Sequence, residues 1–222
     1  MTDFLAAYGW LLWGGTKDTL YMTLVSTGFA YLIGIPVGVL LIVTKPAGLR
    51  AAPRFHAVFG WTINIMRSLP FIILIVFLRP FTRLIVGTSI GATAAIVALI
   101  IGAFPFVARI VESSLAEVDP GVIEAARTMG ATPFQIILRV LLPESVPGLL
   151  RGMSISTITI LGYTAIAGAV GSGGLGDIAV RYGVHRYQPE VMYATIALLV
   201  VLVCIIQGIF NLFARKLDKR NR

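Results

Sequence analysis

The chain has 222 residues, 57% of them hydrophobic and 13% charged, with a mean hydropathy of +0.90. A soluble domain carries about 25% charged residues, so this composition excludes a soluble enzyme, a disordered chain and a small disulfide scaffold, and predicts an all-α integral membrane protein. The net charge of +8 fits basic loops beside anionic lipid better than a nucleic-acid surface, and the single Cys204 supports neither an internal disulfide nor a metal site.

Residues 1–19 read as an external interfacial segment. They lack the basic start of a signal peptide, and Tyr8, Trp10 and Trp13 suit the headgroup level. A spanning helix needs roughly 20 apolar residues. Five runs meet that length: 20–43, 57–78, 90–111, 152–170 and 191–213, followed by a basic tail at 214–222. In the first, Gly34 and Gly38 flank Pro36 at a spacing that suits close helix packing. In the second, Arg67 lies about 15 Å along the helix at about 1.5 Å per residue. An ionisable group at that depth faces the bundle interior, an interface or water, or else snorkels to the surface. Pro70 beside it is placed to bend the helix.

An odd number of spans puts the termini on opposite sides. One set of connecting segments holds five basic residues, Lys17, Arg79, Arg83, Arg181 and Arg186. The other holds twelve: Lys45, Arg50, Arg54, Arg109, Arg127, Arg139, Arg151, Arg215, Lys216, Lys219, Arg220 and Arg222. The richer set belongs in the cytoplasm, so the N-terminus is expected outside and the C-terminus inside.

Residues 112–151 form a long cytoplasmic connection with structure of its own. Asp119-Pro120 reads as a helix start, with Asp as N-cap and Pro at the first helical position, and Gly130 as the stop. Thr132-Pro133 starts a second helix, Phe134–Leu142, that runs to Pro143. Ala125 and Ala126 allow close approach, Val122, Ile123 and Met129 offer an apolar face, and Glu124 and Arg127 offer directional charge. Residue chemistry leaves two readings open here, a docking device for a partner and a hairpin lying on lipid.

Glu124-Ala125-Ala126, three residues, Gly130, nine residues and Val140-Leu141-Leu142-Pro143 resemble the EAA motif of ABC importer permeases, with Val140 where that pattern has Ile. The match holds fixed spacing over 20 positions, and the resemblance extends to nearly the whole chain. Within that family the chain is most similar to the methionine-importer permeases, through Arg67–Leu74, Pro80–Gly91, Met129–Pro133 and Gly168–Gly176. The resemblance implies a type I ABC importer permease fold over 20–213 in the bacterial cytoplasmic (inner) membrane. It further implies a second copy of the chain, two ATP-binding cassette subunits on the cytoplasmic side, an external substrate-binding lipoprotein, and methionine (D- and/or L-) or a related amino acid as substrate. The subunit itself is expected to be non-catalytic and to bind no cofactor, with ATP and magnesium on the ATPase. In agreement, no G-x-x-x-x-G-K-[ST] pattern occurs. ATPase coupling is assigned on this resemblance to Glu124, Ala125, Ala126, Arg127, Gly130 and Pro143.

The fourth span holds Ser154, Thr157, Leu161 and Thr164 at three- and four-residue spacing, hence on one face. With Arg67 they are the pathway or gate candidates, against the commoner use of such hydroxyls in helix packing. Gly171-x-Gly173-x-x-Gly176 matches a dinucleotide fingerprint only literally, because it follows a membrane span rather than a strand. It reads as a turn at the outer mouth, a simple one or a gate. His56 and His185 have no metal-ligand neighbours in the sequence, and no nucleophile or paired-carboxylate arrangement appears. The alternatives are a permease for another small amino acid or peptide, and a self-contained channel or carrier. A carrier would need no docking loop and would work without ATP.

Overall fold

The computed structural model describes residues 2–217. Met1 and, in the expected basic tail, Lys219, Arg220, Arg222 and the side chain of Arg215 lie outside the described residues. Every element among the described residues is helical. In chain order they are α1 (Thr2–Thr44), α2 (Pro53–Ser68), α3 (Phe71–Phe77), α4 (Arg79–Val86), α5 (Ala92–Ala116), α6 (Pro120–Thr128), α7 (Pro133–Ile136), α8 (Leu142–Ala169), α9 (Gly174–Ile178) and α10 (Pro189–Leu217). Two π-helical turns, Ile137–Leu141 and Ala179–Val184, precede α8 and follow α9. Four helical stretches are long and apolar enough to cross a membrane: Ala6–Thr44, Ala92–Ala116, Pro133–Val184 and Pro189–Ala214. The bent pair α2 and α3 passes the same length and apolarity criteria taken together, which gives four spans, or five with that pair counted as one.

Three element boundaries differ from the sequence expectation, each for a local reason. The backbone runs from the expected interfacial segment, described from Thr2, into 20–43 as one helix. No proline interrupts α1 before Pro36, and the Thr16 hydroxyl donates to the Leu12 carbonyl at 2.8 Å, which keeps the chain helical through the join. The run 57–78 is instead two helices bent by 94°. Pro70 lacks an N–H and disfavours helical backbone at Leu69, while Ser68 Oγ donates to the Ile65 carbonyl at 2.7 Å and closes α2. Finally, the helix beginning at Thr132 does not end at Pro143. Pro143 falls in the first turn of α8, where a missing N–H is harmless. The π turn before it passes the Leu142 N–H back to Ile137 O.

The chain divides into two compact units. The first comprises residues 1–29, 69–103 and 157–207. In lipid, helices associate by close packing and hydrogen bonds rather than by escape from water, and this unit shows both. Gly102 meets Leu74 and Phe71, and the Phe71 ring stacks on Tyr163 with centroids 4.6 Å apart. The loop from α8 to α9 is built from Gly171, Gly173 and Gly174, all at positive φ, a region side chains avoid. It is tied to α1 by the Leu175 N–H donating to Thr19 Oγ1 at 2.9 Å. Gly168 and Gly176 let α8 and α9 touch backbone to backbone. The glycine-rich motif is thus a packed turn.

The second unit comprises residues 30–68, 104–156 and 208–222. Its centre is the crossing of α1 and α5. A Cβ on Gly38 would lie 2.7 Å from Ala108 O and from Val111 Cβ, so only glycine allows this approach. Arg109 on α5 donates to Glu112 at 2.7 Å and to the Gly60 carbonyl on α2 at 2.8 Å. Tyr31 and Ser156 join α1 to α8 by a buried hydroxyl–hydroxyl bond of 2.9 Å.

Candidate functional site

The motif helix α6 belongs to the second unit and is capped at both ends. Asp119 Oδ1 accepts from the Gly121 N–H at 2.7 Å, with Pro120 in the first turn. At the other end Gly130, at φ +80, donates to Arg127 O at 2.9 Å, and Ala131 donates to Ala126 O at 3.1 Å. Those two bonds form a Schellman closure, which requires the left-handed residue that glycine supplies. Thr132 and Gln135 then form a capping box: Gln135 Oε1 accepts from the Thr132 N–H at 2.8 Å, and Thr132 Oγ1 from the Gln135 N–H at 3.4 Å. Stop and restart follow within four residues, which fixes the angle between the two short helices.

Ala126 is buried and forms the foot of α6. Arg127 turns back toward its own chain, reaching the Gly48 carbonyl at 3.5 Å in the connection after α1. On the other face Glu124, Ala125 and Gly130 are exposed, with Val122 and Met129 beside them. The Glu124 carboxylate makes no hydrogen bond or ion pair among the described residues, and it stands at the edge of a cavity of about 310 Å³ together with Lys45 and Arg127. Pro143 is exposed at the start of α8. The arrangement is an anchored helix holding an unpaired acid and a small residue outward, with no arrangement for bond-making chemistry.

The pathway candidates are placed differently. Ser154 is buried in the second unit, and Thr157, Leu161 and Thr164 are buried in the first. Thr164 Oγ1 donates to the Leu161 carbonyl at 2.7 Å. The shared face inferred from spacing exists, but it is turned into the chain's own packing. Beyond its first turns, from Gly152 onward, α8 leaves Ile155, Gly162, Ile166 and Ala169 exposed. Arg67 is exposed, with its guanidinium 5.9 Å from the Phe106 ring centroid. No cluster of three or more His, Cys, Asp or Glu with metal-binding geometry occurs among the described residues. Sequence reasoning missed the Arg109 bridge, whose only visible signal was a basic and an acidic residue three apart near the end of an apolar run.

Residues 34–222 match the family described as binding-protein-dependent transport system inner membrane component. The chain is 50% identical over 210 residues to a probable D-methionine transport system permease protein MetI of Vibrio cholerae, covering 95% of this chain and 93% of that one. It is 54% identical over 159 residues to the D-methionine transport system permease protein MetI of Escherichia coli K12, covering 72% and 73% of the two chains. A chain from an inward-facing structure of the MetNI methionine ABC transporter superposes with a TM-score of 0.95 at 50% identity, covering 96% of this chain and 99% of that one. A chain from an amino acid ABC transporter, at 23% identity and a TM-score of 0.78, shares the fold. The capped motif helix, the apolar spans and these similarities converge: the chain is a multi-pass membrane protein and belongs to the binding-protein-dependent transport system inner membrane components, the importer permeases of ABC transporters.

Proposed function

We propose that two copies of this chain form the translocation pathway of an ATP-driven importer for methionine, D- and/or L-, or a closely related amino acid. In this reading α6 enters a cleft on each of two cytoplasmic ATPase subunits, which hold the ATP and magnesium. An external binding protein delivers the substrate.

One observation carries the proposal. Helix α6 is capped at both ends, footed on Ala126, and presents Glu124 and Ala125 with no partner for the carboxylate among the described residues. The exposed Val122 and Met129 would suit either a lipid surface or a partner, but two fixed caps around an outward acid with no partner suit a docking helix better. The Arg127–Gly48 contact ties α6 to the end of α1. When the ATPase dimer closes, α6 is therefore displaced together with the helix ends it rests on, and the spans rock between two states as rigid bodies. The substrate assignment is supported by relatives at 50% and 54% identity that are named for D-methionine transport.

The test is uptake of labelled L- and D-methionine into proteoliposomes holding this chain, its ATPase and its binding protein. ATP-dependent accumulation is expected, together with none from the chain alone. Uptake by the chain without ATPase would replace this reading by that of a self-contained carrier. Accumulation of a different amino acid but not methionine would correct the substrate alone.

A further inference from the structure

A groove of about 720 Å³ runs along the last turns of α1 in the second unit. One wall is Pro36, Val39, Leu40 and Val43, and the other is Phe134 and Ile137. Arg50 also lines it, and the Arg50 N–H donates to Val43 O at 3.0 Å, which places that residue against the end of α1. The groove is therefore apolar along about 10 Å, the seven rises of about 1.5 Å from Pro36 to Val43, and cationic where the helix ends.

That gradient matches the membrane it sits in. Pro36 through Val43 belong to the apolar run 20–43 read from the sequence as the first span, and Arg50 follows its end, so the apolar wall is expected toward the hydrocarbon and Arg50 toward the headgroups. The Arg50 side chain is exposed and has no hydrogen bond or ion pair among the described residues. The connection around it, residues 45–54, holds Lys45, Arg50 and Arg54 and no acidic residue. Phe134, 69% exposed, supplies an aromatic edge to the facing wall of the groove. A phosphodiester suits the forked donors of an arginine, and an acyl chain suits the wall from Pro36 to Val43.

We propose that this groove is a binding site for one anionic phospholipid, with its phosphate on Arg50 and an acyl chain laid along α1 beneath Phe134. Because α7 follows α6 within four residues, the lipid would brace the base of the motif helix against the membrane.

The test is native mass spectrometry of the full-length chain extracted in mild detergent and titrated with phosphatidylglycerol or phosphatidylcholine. The wild type should retain one phosphatidylglycerol per chain, about tenfold more tightly than phosphatidylcholine. Arg50→Gln should abolish the preference by removing the cation. Val39→Trp should weaken both lipids about tenfold by filling the groove, and Arg186→Gln, an exposed arginine of the other unit, should change neither. Equal retention of the two lipids by the wild type would overturn the proposal. So would retention unchanged in both groove variants, or no bound lipid on the wild type, whether the groove is then empty or filled by a protein partner.

Discussion

At Gly130 backbone geometry and function are coupled through one torsion. A Cβ there would meet nothing within 4 Å, so crowding within the chain does not make glycine necessary; φ +80 does. A left-handed side-chain residue costs about 1–2 kcal/mol, and asparagine less than most. Transport should therefore fall in the order Gly130, Gly130→Asn, Gly130→Ala, with the chain still inserted. If the larger Asn were worse than Ala, a partner surface close to Gly130 would set the requirement instead of the torsion. Glu124→Lys should abolish ATPase co-purification or its stimulation by the binding protein, and Glu124→Gln should reduce it less, because only the first reverses the charge. Near-normal coupling with Glu124→Lys would favour the lipid-lying hairpin. Arg109 is the contrasting case, a residue whose task lies within the chain. Its guanidinium serves Glu112 and the Gly60 carbonyl at once, which one lysine ammonium at the same reach does not reproduce. Arg109→Leu should lower stability by about 1–3 kcal/mol through orphaned acceptors. The double variant Arg109→Leu/Glu112→Leu should recover part of that loss, because the stranded charge is gone. Thermal unfolding of the detergent-solubilised chain reads both.

Among the elements, those set by neighbouring residues were the legible ones. Asp119-Pro120, Gly130 and Thr132-Pro133 specify their caps through bonds spanning two to five residues, and each cap stands where the sequence places it. Pro70 was visible as a bend, but a 94° turn requires Ser68 to close α2 and Phe71 to find Tyr163 far along the chain. Pro143 misled because a proline ends a helix only when the preceding turn cannot absorb it, and here a π turn lets it open α8. The stripe Ser154, Thr157, Leu161 and Thr164 shows the limit most clearly. Periodicity gives which residues share a face, whereas the direction of that face is set by partners far away in the chain. Tyr31 bonding Ser156, 125 residues apart, turns one such segment inward. Tyr31→Phe should therefore lower stability by about 0.5–1 kcal/mol, the size of an interhelical hydrogen bond in a membrane protein. Ser156→Ala should cost a similar amount, and the double variant less than the sum. Fully additive losses would mean that the 2.9 Å bond contributes nothing.

The whole molecule poses the question that a single chain leaves open, namely what its remaining apolar surface meets. In the apolar stretches containing α1, α5 and α8, 50%, 56% and 44% of the most apolar window is buried within the chain, but for α10 the figure is 6%. Helix α10 is thus peripheral, facing lipid or a second copy. Each chain also carries one motif helix, whereas an ATP-driven importer with two ATPase subunits needs two such contacts. A two-fold axis relating two copies supplies the second α6 without a second gene product, and it makes the subunit interface self-complementary. The positive-inside count, twelve basic residues against five, leads us to expect that both copies insert in one orientation with the richer set on the ATPase side. Reporters fused at the two ends should accordingly report opposite sides, the C-terminal one cytoplasmic. Native mass spectrometry of the purified transporter should give two copies of this chain for every two ATPase subunits. A single copy bound to an ATPase pair would leave one ATPase without an α6 and would remove the symmetric rocking mechanism, whereas two copies with both termini on the same side would remove the odd-span topology on which the placement of α6 rests.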